Sequence, residues 1–248
     1  CMDPMSLAYD SEATKDDGNC TYPPNEKRSL VFKATATWCP PCGSWGKDYV
    51  DNLYQDFPDG NMEVIGLHND NDFGVDVANM ILGELNNSSY PSFYVGIQST
   101  STSYSDISDA VDSELEEDNL VSMAIDYSTE AGVMTIKVQS QIVDQSTFSG
   151  SDCHLAIYIL EDGQVANQQV GDPGSGVDDP NFVHDHILRT EANGSSFGVP
   201  ISFTDGNNLT EANATLAPST IWTHENLYPV AVIWRMNGNN YEFVNFAK

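Results

Sequence analysis

Cys39 and Cys42, in the run Thr37-Trp38-Cys39-Pro40-Pro41-Cys42, are the residues whose type and spacing point most directly to chemistry. Two residues between cysteines at the start of a helix hold the sulfurs within disulfide reach, so the pair can pass between dithiol and disulfide. In that reading Cys39 sits at the exposed end and attacks, while Cys42 resolves. The helix N-terminus favours a thiolate through its dipole and its free N–H groups. Pro40 and Pro41 remove two of those donors, which predicts a weaker effect on Cys39 than a Gly-Pro pair would give. An inert structural disulfide is the competing reading. Half of a zinc site is a third, but the nearest histidine is His68 and no second C-x-x-C exists, so neither metal nor cofactor is expected.

Several elements must hold that pair in place. Ser29-Leu30-Val31-Phe32 is a short apolar run leading into the motif, and Trp45, Tyr49, Leu53 and Phe57 follow it four apart, as on one helical face. Pro58-Asp59-Gly60 ends that helix. Residues 62–67 read as a strand, 75–85 as a helix, Ser92–Val95 as a strand, and 107–115 as a closing helix with Ile107 and Val111 four apart. The alternation predicts an α/β layer over residues 25–118. Glu116-Glu117-Asp118-Asn119 is a charged hinge, after which the period becomes two: Val121, Met123, Ile125 and Tyr127, then Leu155, Ile157 and Ile159, then Val230, Val232, Trp234 and Met236. Residues 119–248 therefore read as an antiparallel β-sandwich. Residues 1–24 carry turn chemistry instead, with Asp3-Pro4, Asp16-Asp17-Gly18 and Pro23-Pro24, and read as a small loop module.

Strand, C-x-x-C and helix in that order, with Tyr90-Pro91 before the strand Ser92–Val95, resemble the thioredoxin superfamily. The resemblance implies a thioredoxin-like α/β domain, with Pro91 in cis facing the dithiol and helping to dock a substrate chain. Trp38 and Tyr90 belong to its surroundings. One departure stands out: Lys33 occupies the place, six residues before Cys39, where that superfamily commonly has a buried acid. Lys33 can stabilise a thiolate, but while charged it cannot accept the proton of Cys42. Efficient turnover is put in question by that exchange.

A wider set, Thr35-Ala36-Thr37-Trp38-Cys39, His68-Asn69-Asp70, Tyr90-Pro91 and Phe182-Val183-His184-Asp185-His186-Ile187-Leu188-Arg189, resembles the Bacteroidetes outer-membrane lipoprotein family named after outer membrane protein twenty-eight. It runs from about residue 28 to the C-terminus. The resemblance implies a thioredoxin-like domain followed by a β-sandwich, anchored in the cell envelope, with no settled activity. The frame from Cys1 through Asp16-Asp17-Gly18-Asn19-Cys20 resembles a cysteine-bounded motif of secreted Bacteroidetes proteins, which implies a disulfide between Cys1 and Cys20.

Charge narrows the partners. The 248 residues carry 37 acidic and 9 basic side chains, a net charge of −28, yet 40% are hydrophobic and 10% aromatic. That describes a folded protein with an acidic surface. No basic patch is available to neutralise phosphates, so nucleic acid and anionic lipid headgroups are not expected partners. The expected partner is a protein, either a thiol or disulfide substrate or an assembly partner. Five cysteines, at 1, 20, 39, 42 and 153, cannot all pair. A first-residue cysteine is what signal cleavage of a bacterial lipoprotein leaves, so a lipid on Cys1 stands beside a disulfide to Cys20. The lipid would tether the protein to the outer membrane or cell surface, and without it the protein would be secreted or periplasmic.

Weaker signals remain. His184 and His186 can share one face of a strand with Asp185 nearby, although histidines bonded to a strand end are the plainer reading. Asp70-Asn71-Asp72, Asp178-Asp179 and Asp16-Asp17-Gly18 offer oxygens to calcium without matching its 12-residue loop. Cys153 shares the apolar parity of Leu155 and Ile157, as a buried thiol would. The Asn-x-Ser/Thr triplets at Asn86, Asn87, Asn193, Asn208 and Asn213 read as polar loops.

Overall fold

The computed structural model describes every residue except 4, 5, 10, 11, 16 and 17. The Asp3-Pro4 turn and the Asp16-Asp17-Gly18 calcium candidate therefore lie outside the described residues. In chain order the elements are β1 (Ser29–Thr35), α1 (Pro40–Gly43), α2 (Trp45–Asp56), β2 (Met62–His68), α3 (Asp76–Glu84), β3 (Ser92–Val95), β4 (Gln98–Ser99) and α4 (Tyr104–Leu115). The chain continues through β5 (Val121–Glu130), β6 (Val133–Ile142), β7 (Cys153–Glu161), β8 (Gln164–Val170), β9 (Val177–His184), β10 (Ile187–Glu191), β11 (Val199–Pro200), β12 (Asn207–Thr215), β13 (Leu227–Asn237) and β14 (Asn240–Ala247).

One mixed sheet runs through both halves of the chain, in the order β14-β13-β7-β10-β2-β1-β3-β4, with β11 also on β7. β1 and β2 are parallel from Ser29↔Met62 to Thr35↔His68, and β3 lies antiparallel on β1. The far edge of β2 is taken by β10, through the parallel pairing Ile187↔Gly66 and the Gly66 N–H on the His186 carbonyl at 2.7 Å. A Cβ on Gly66 would stand 3.0 Å from that carbonyl oxygen, so only glycine permits the join without adjustment. β10 then pairs antiparallel with β7, and β7 with β13.

β7 is apolar nearly throughout, as a strand covered on both faces must be. Its Ala156, Tyr158 and Leu160 pack with Leu30, Phe32, Ile65 and Leu67 from the first half and with Trp234 from β13. Its Leu155, Ile157 and Ile159 pack against Val121, Met123, Ile136 and Val138 of the three-stranded sheet β12-β6-β5. α2 and α4 cover Val31, Val64, Phe93 and Val95 on the remaining face.

This architecture overturns the expected thioredoxin-like α/β domain followed by an all-β antiparallel sandwich. Among the described residues 41% are strand and 17% helix, in mixed and antiparallel sheets. The physical reason is that neither half closes its own sheet. β2 is completed by β10 from beyond residue 119, and β5, β6 and β12 cover a sheet that continues into β1 and β2. Repeating apolar segments reveal the strands but not which strand fills which edge.

Of the two alternatives open for Cys1, the structure has the disulfide, with Cys1 Sγ 2.02 Å from Cys20 Sγ. Cys153 is the free cysteine among the described residues, and its burial pushes the thiol up to about 11. No described helix is long and apolar enough to cross a membrane.

Candidate functional site

β1 ends at Thr35, and the chain turns through Ala36-Thr37-Trp38 so that Cys39 caps the single helical turn α1. Cys39 and Cys42 form a disulfide. With Pro40 and Pro41 at the first two helical positions, the first N–H is that of Cys42, shared between the Cys39 carbonyl at 3.1 Å and Cys39 Sγ at 3.3 Å. The helix the sequence suggested breaks at Ser44, where φ is −109° and ψ −110°, before α2 begins. A one-turn helix carries little of a macrodipole, so this N–H is the local support for charge on Cys39 Sγ.

Asp70 ties the motif to the end of β2. Its carboxylate accepts from the Thr37 N–H at 3.0 Å, lies 2.8 Å from His68 Nδ1, and accepts from the Phe73 N–H at 2.7 Å. Burial pushes Asp70 up, but the hydrogen bonds from His68, Phe73 and Thr37 outweigh it and hold the carboxyl at about 2. Trp38 is about half exposed and donates from Nε1 to the Asn69 carbonyl at 3.0 Å. Its ring meets Tyr90 edge-on at 5.5 Å, and Tyr90 packs against Ala36, Cys39 and Cys42. The Tyr90–Pro91 peptide is cis. Pro91 lies against Gly46 of α2, where a Cβ would come within 3.0 Å of Pro91 Cγ. Lys33 sits behind the pair, with Nζ 3.4 Å from the Cys42 carbonyl oxygen. Burial, with Lys47 nearby and Asp51 opposing, lowers its amine to about 8.

The exposed Cys39 expected from the sequence is not found: Cys39 and Cys42 are 3% and 2% exposed. The cover comes from the second half of the chain, from β8 and β9. β8 and β9 pair only with each other, as a two-stranded hairpin lying on α1. Buried Gln168 donates from Nε2 to the carbonyls of Ala36 at 3.2 Å and Cys39 at 2.9 Å, and the Gln169 N–H donates to the Thr37 carbonyl at 2.8 Å. Ser44 Oγ accepts from the Gly171 N–H. The fit is close, since a Cβ on Gly43 would stand 2.5 Å from Gln168 Cγ and 2.7 Å from the Gln169 carbonyl oxygen. A Cβ on Gly176 would meet Pro40 Cγ at 2.5 Å. Gln168, Gly43 and Gly176 were not singled out in the sequence. A polar strand with two adjacent glutamines gives no apolar period to notice.

His184 and His186 go to different surroundings. His184 closes β9 on its inner side, against Phe73, Phe182 and His68, and burial lowers it to about 4. His186, at φ 60°, turns away to stack on Tyr54, with Nδ1 3.1 Å from Tyr228 Oη. Among the described residues no group of three or more His, Cys, Asp or Glu side chains is placed to hold a metal ion. Asp178 and Asp179 lie in the covering hairpin, and Asp72 accepts from Thr37 Oγ1 at 3.0 Å.

Chemically, the site is a buried disulfide with a hydrogen-bond donor on Cys39 Sγ, an amine at the Cys42 carbonyl, and a two-stranded cover. Residues 83–248 match the family model described as outer membrane protein Omp28. A solved structure, HBP35 of Porphyromonas gingivalis, is similar in fold with a TM-score of 0.72 at 15% identity, over 91% of this chain and 75% of that one. No curated protein matches the chain in sequence.

Proposed function

The chain belongs to the Omp28 family of outer membrane proteins, and from that premise we propose a cell-envelope protein whose Cys39–Cys42 disulfide exchanges with a protein dithiol once hairpin β8–β9 lifts. Its location is the outer membrane or cell surface. The observation that carries the exchange reading is the asymmetric pair. Cys39 Sγ receives the Cys42 N–H, and the cover over it is a polar two-stranded hairpin rather than packed core. With the hairpin open, a partner thiolate attacks Cys39 Sγ and the Cys39–Cys42 bond breaks. Cys42 leaves as a thiolate and takes up a proton. A second partner thiolate then attacks the mixed disulfide and releases Cys39, so the partner is oxidised by two electrons and the pair is reduced by two. The reverse sequence reduces a partner disulfide.

Insulin reduction by the purified protein, with Cys39→Ser as control, tests this reading. Turnover above the control supports it, and turnover equal to the control overturns it.

Burial of both sulfurs favours a second reading, in which the disulfide braces a surface binding or assembly subunit. The reduction potential separates the two. A structural disulfide lies below about −300 mV, whereas an exchanger falls at roughly −120 to −270 mV.

A further inference from the structure

A cleft opens between α2 and the inner side of β9, floored by β1 and β2, and its inner end reaches Cys42. Lys33, Thr35, His68, Gln168 and His184 line the inner end, and Lys47 with Asp51 stands on the α2 side. Lys33 is unusual in this acidic protein. By contrast, Arg189 pairs with Glu161 at 2.6 Å, Lys248 with Glu63 at 2.8 Å, and Lys47 with Asp51 at 2.7 Å. Lys33 has no carboxylate within ion-pair distance among the described residues, and its one hydrogen bond is the 3.4 Å contact to the Cys42 carbonyl.

The acidic groups near it are already engaged. Asp51 is held by Lys47, Asp70 by His68 and two backbone N–H groups, and Asp185 by the Gly163 N–H at 2.8 Å. The buried Nε2 of His184 has no hydrogen-bond partner. An enclosed ammonium without a counter-ion is costly, and folding normally supplies an anion or removes the charge. The cavity is about 50 Å³, and a water needs roughly 10–15 Å³ of such space, so a few waters or one small ion fit and a larger organic molecule does not.

We propose that this cleft binds one small monovalent anion, a halide or a formate-sized carboxylate, held by Lys33 against the rear of Cys42. The overall negative charge does not prevent this. Distant surface carboxylates are screened over about 8 Å at physiological salt, and Lys33 is the buried cation lining the cleft beside Cys42. The proposal stands apart from the exchange reading, because it concerns the oxidised protein and needs no turnover.

The test is a titration of the oxidised protein with sodium bromide and with sodium formate, at ionic strength held constant with sodium gluconate, whose anion is too large to enter. The readout is the imidazole resonances of His184 and His68. We expect a saturable shift with bromide or formate that weakens at least tenfold in Lys33→Met and is unchanged in Lys137→Met, an exposed lysine on β6. Met at position 33 is apolar and of similar length, and thermal unfolding of each variant confirms that the fold persists. A response that is linear, equal in gluconate, or equal in Lys33→Met would overturn the proposal.

Discussion

The β7–β13 ladder and the β8–β9 hairpin are built from neighbouring stretches of chain, yet they are held in opposite ways. The ladder runs unbroken from Leu227↔Glu161 to Arg235↔Cys153, and its side chains are almost wholly buried on both faces. The hairpin has one partner strand, a register shift between Ala166 and Gln168, and exposed valines at 165, 177 and 183. Its grip on the C-x-x-C motif is a set of hydrogen bonds from Gln168, Gln169 and Gly171. A segment with little buried apolar surface can open locally at a small fraction of the global unfolding free energy. The ladder is a buried core element, and the hairpin is a cover held by hydrogen bonds.

That contrast breaks most visibly in the core. Trp234 is fully buried and lies parallel to Phe32 with ring centroids 6.1 Å apart. Trp234→Ala should cost about 3–5 kcal/mol in denaturant unfolding. Amide exchange at Gln169 should stay as in the wild type, since local opening does not draw on that core. Gly43→Ala should do the reverse. The new Cβ meets the Gln169 carbonyl and Gln168 Cγ, and overpacking of this kind costs about 1–3 kcal/mol. Faster exchange of the Gln169 amide with unchanged β7 amides would sharpen the comparison, while faster exchange in both regions together would break it.

A smaller effect follows from His184 on the hairpin's inner side. Burial holds it near 4, below its ordinary value of 6.5. The unfolded or opened form therefore binds a proton first as the pH falls. The closed form's advantage is complete above about 6.5 and is lost as the pH falls through about 4. Reduction of Cys39–Cys42 by a phosphine should speed up between pH 6.5 and 4 relative to Cys1–Cys20, and His184→Phe should flatten that trend. An identical profile in His184→Phe would remove His184 from the closure.

Local chemistry was legible in the sequence, and distant closure was not. Trp45, Tyr49 and Leu53 marked α2, Pro58-Asp59-Gly60 marked its end, and the alternation through Val121, Met123 and Ile125 marked β5. Periodicity carries no address, however, and so it did not show that β10 would complete β2 and merge the two halves into one mixed sheet. The covering hairpin was invisible for a different reason. Gln164–Val170 is mostly polar, because its inner face binds backbone carbonyls rather than apolar side chains. Reading Cys39 as exposed followed from the motif alone, without the strand pair that lies over it. The glycines at 43 and 176 were the residues in the sequence closest to a signal, since close approach of two backbones leaves no room for a side chain there.

The proposed exchange requires that the hairpin, and Gln168 in particular, control access to the Cys39–Cys42 disulfide. The direct measurement is the rate of its reduction by a phosphine at neutral pH, followed by alkylation and peptide mass spectrometry, in the wild type and in Gln168→Ala, with Cys1–Cys20 as the internal reference. Losing the Gln168 hydrogen bonds should weaken closure by about 1.4 kcal/mol, which speeds reduction of Cys39–Cys42 roughly tenfold if opening precedes attack. Cys1–Cys20 should react at the same rate in both proteins. Equal Cys39–Cys42 rates in wild type and Gln168→Ala would contradict the claim.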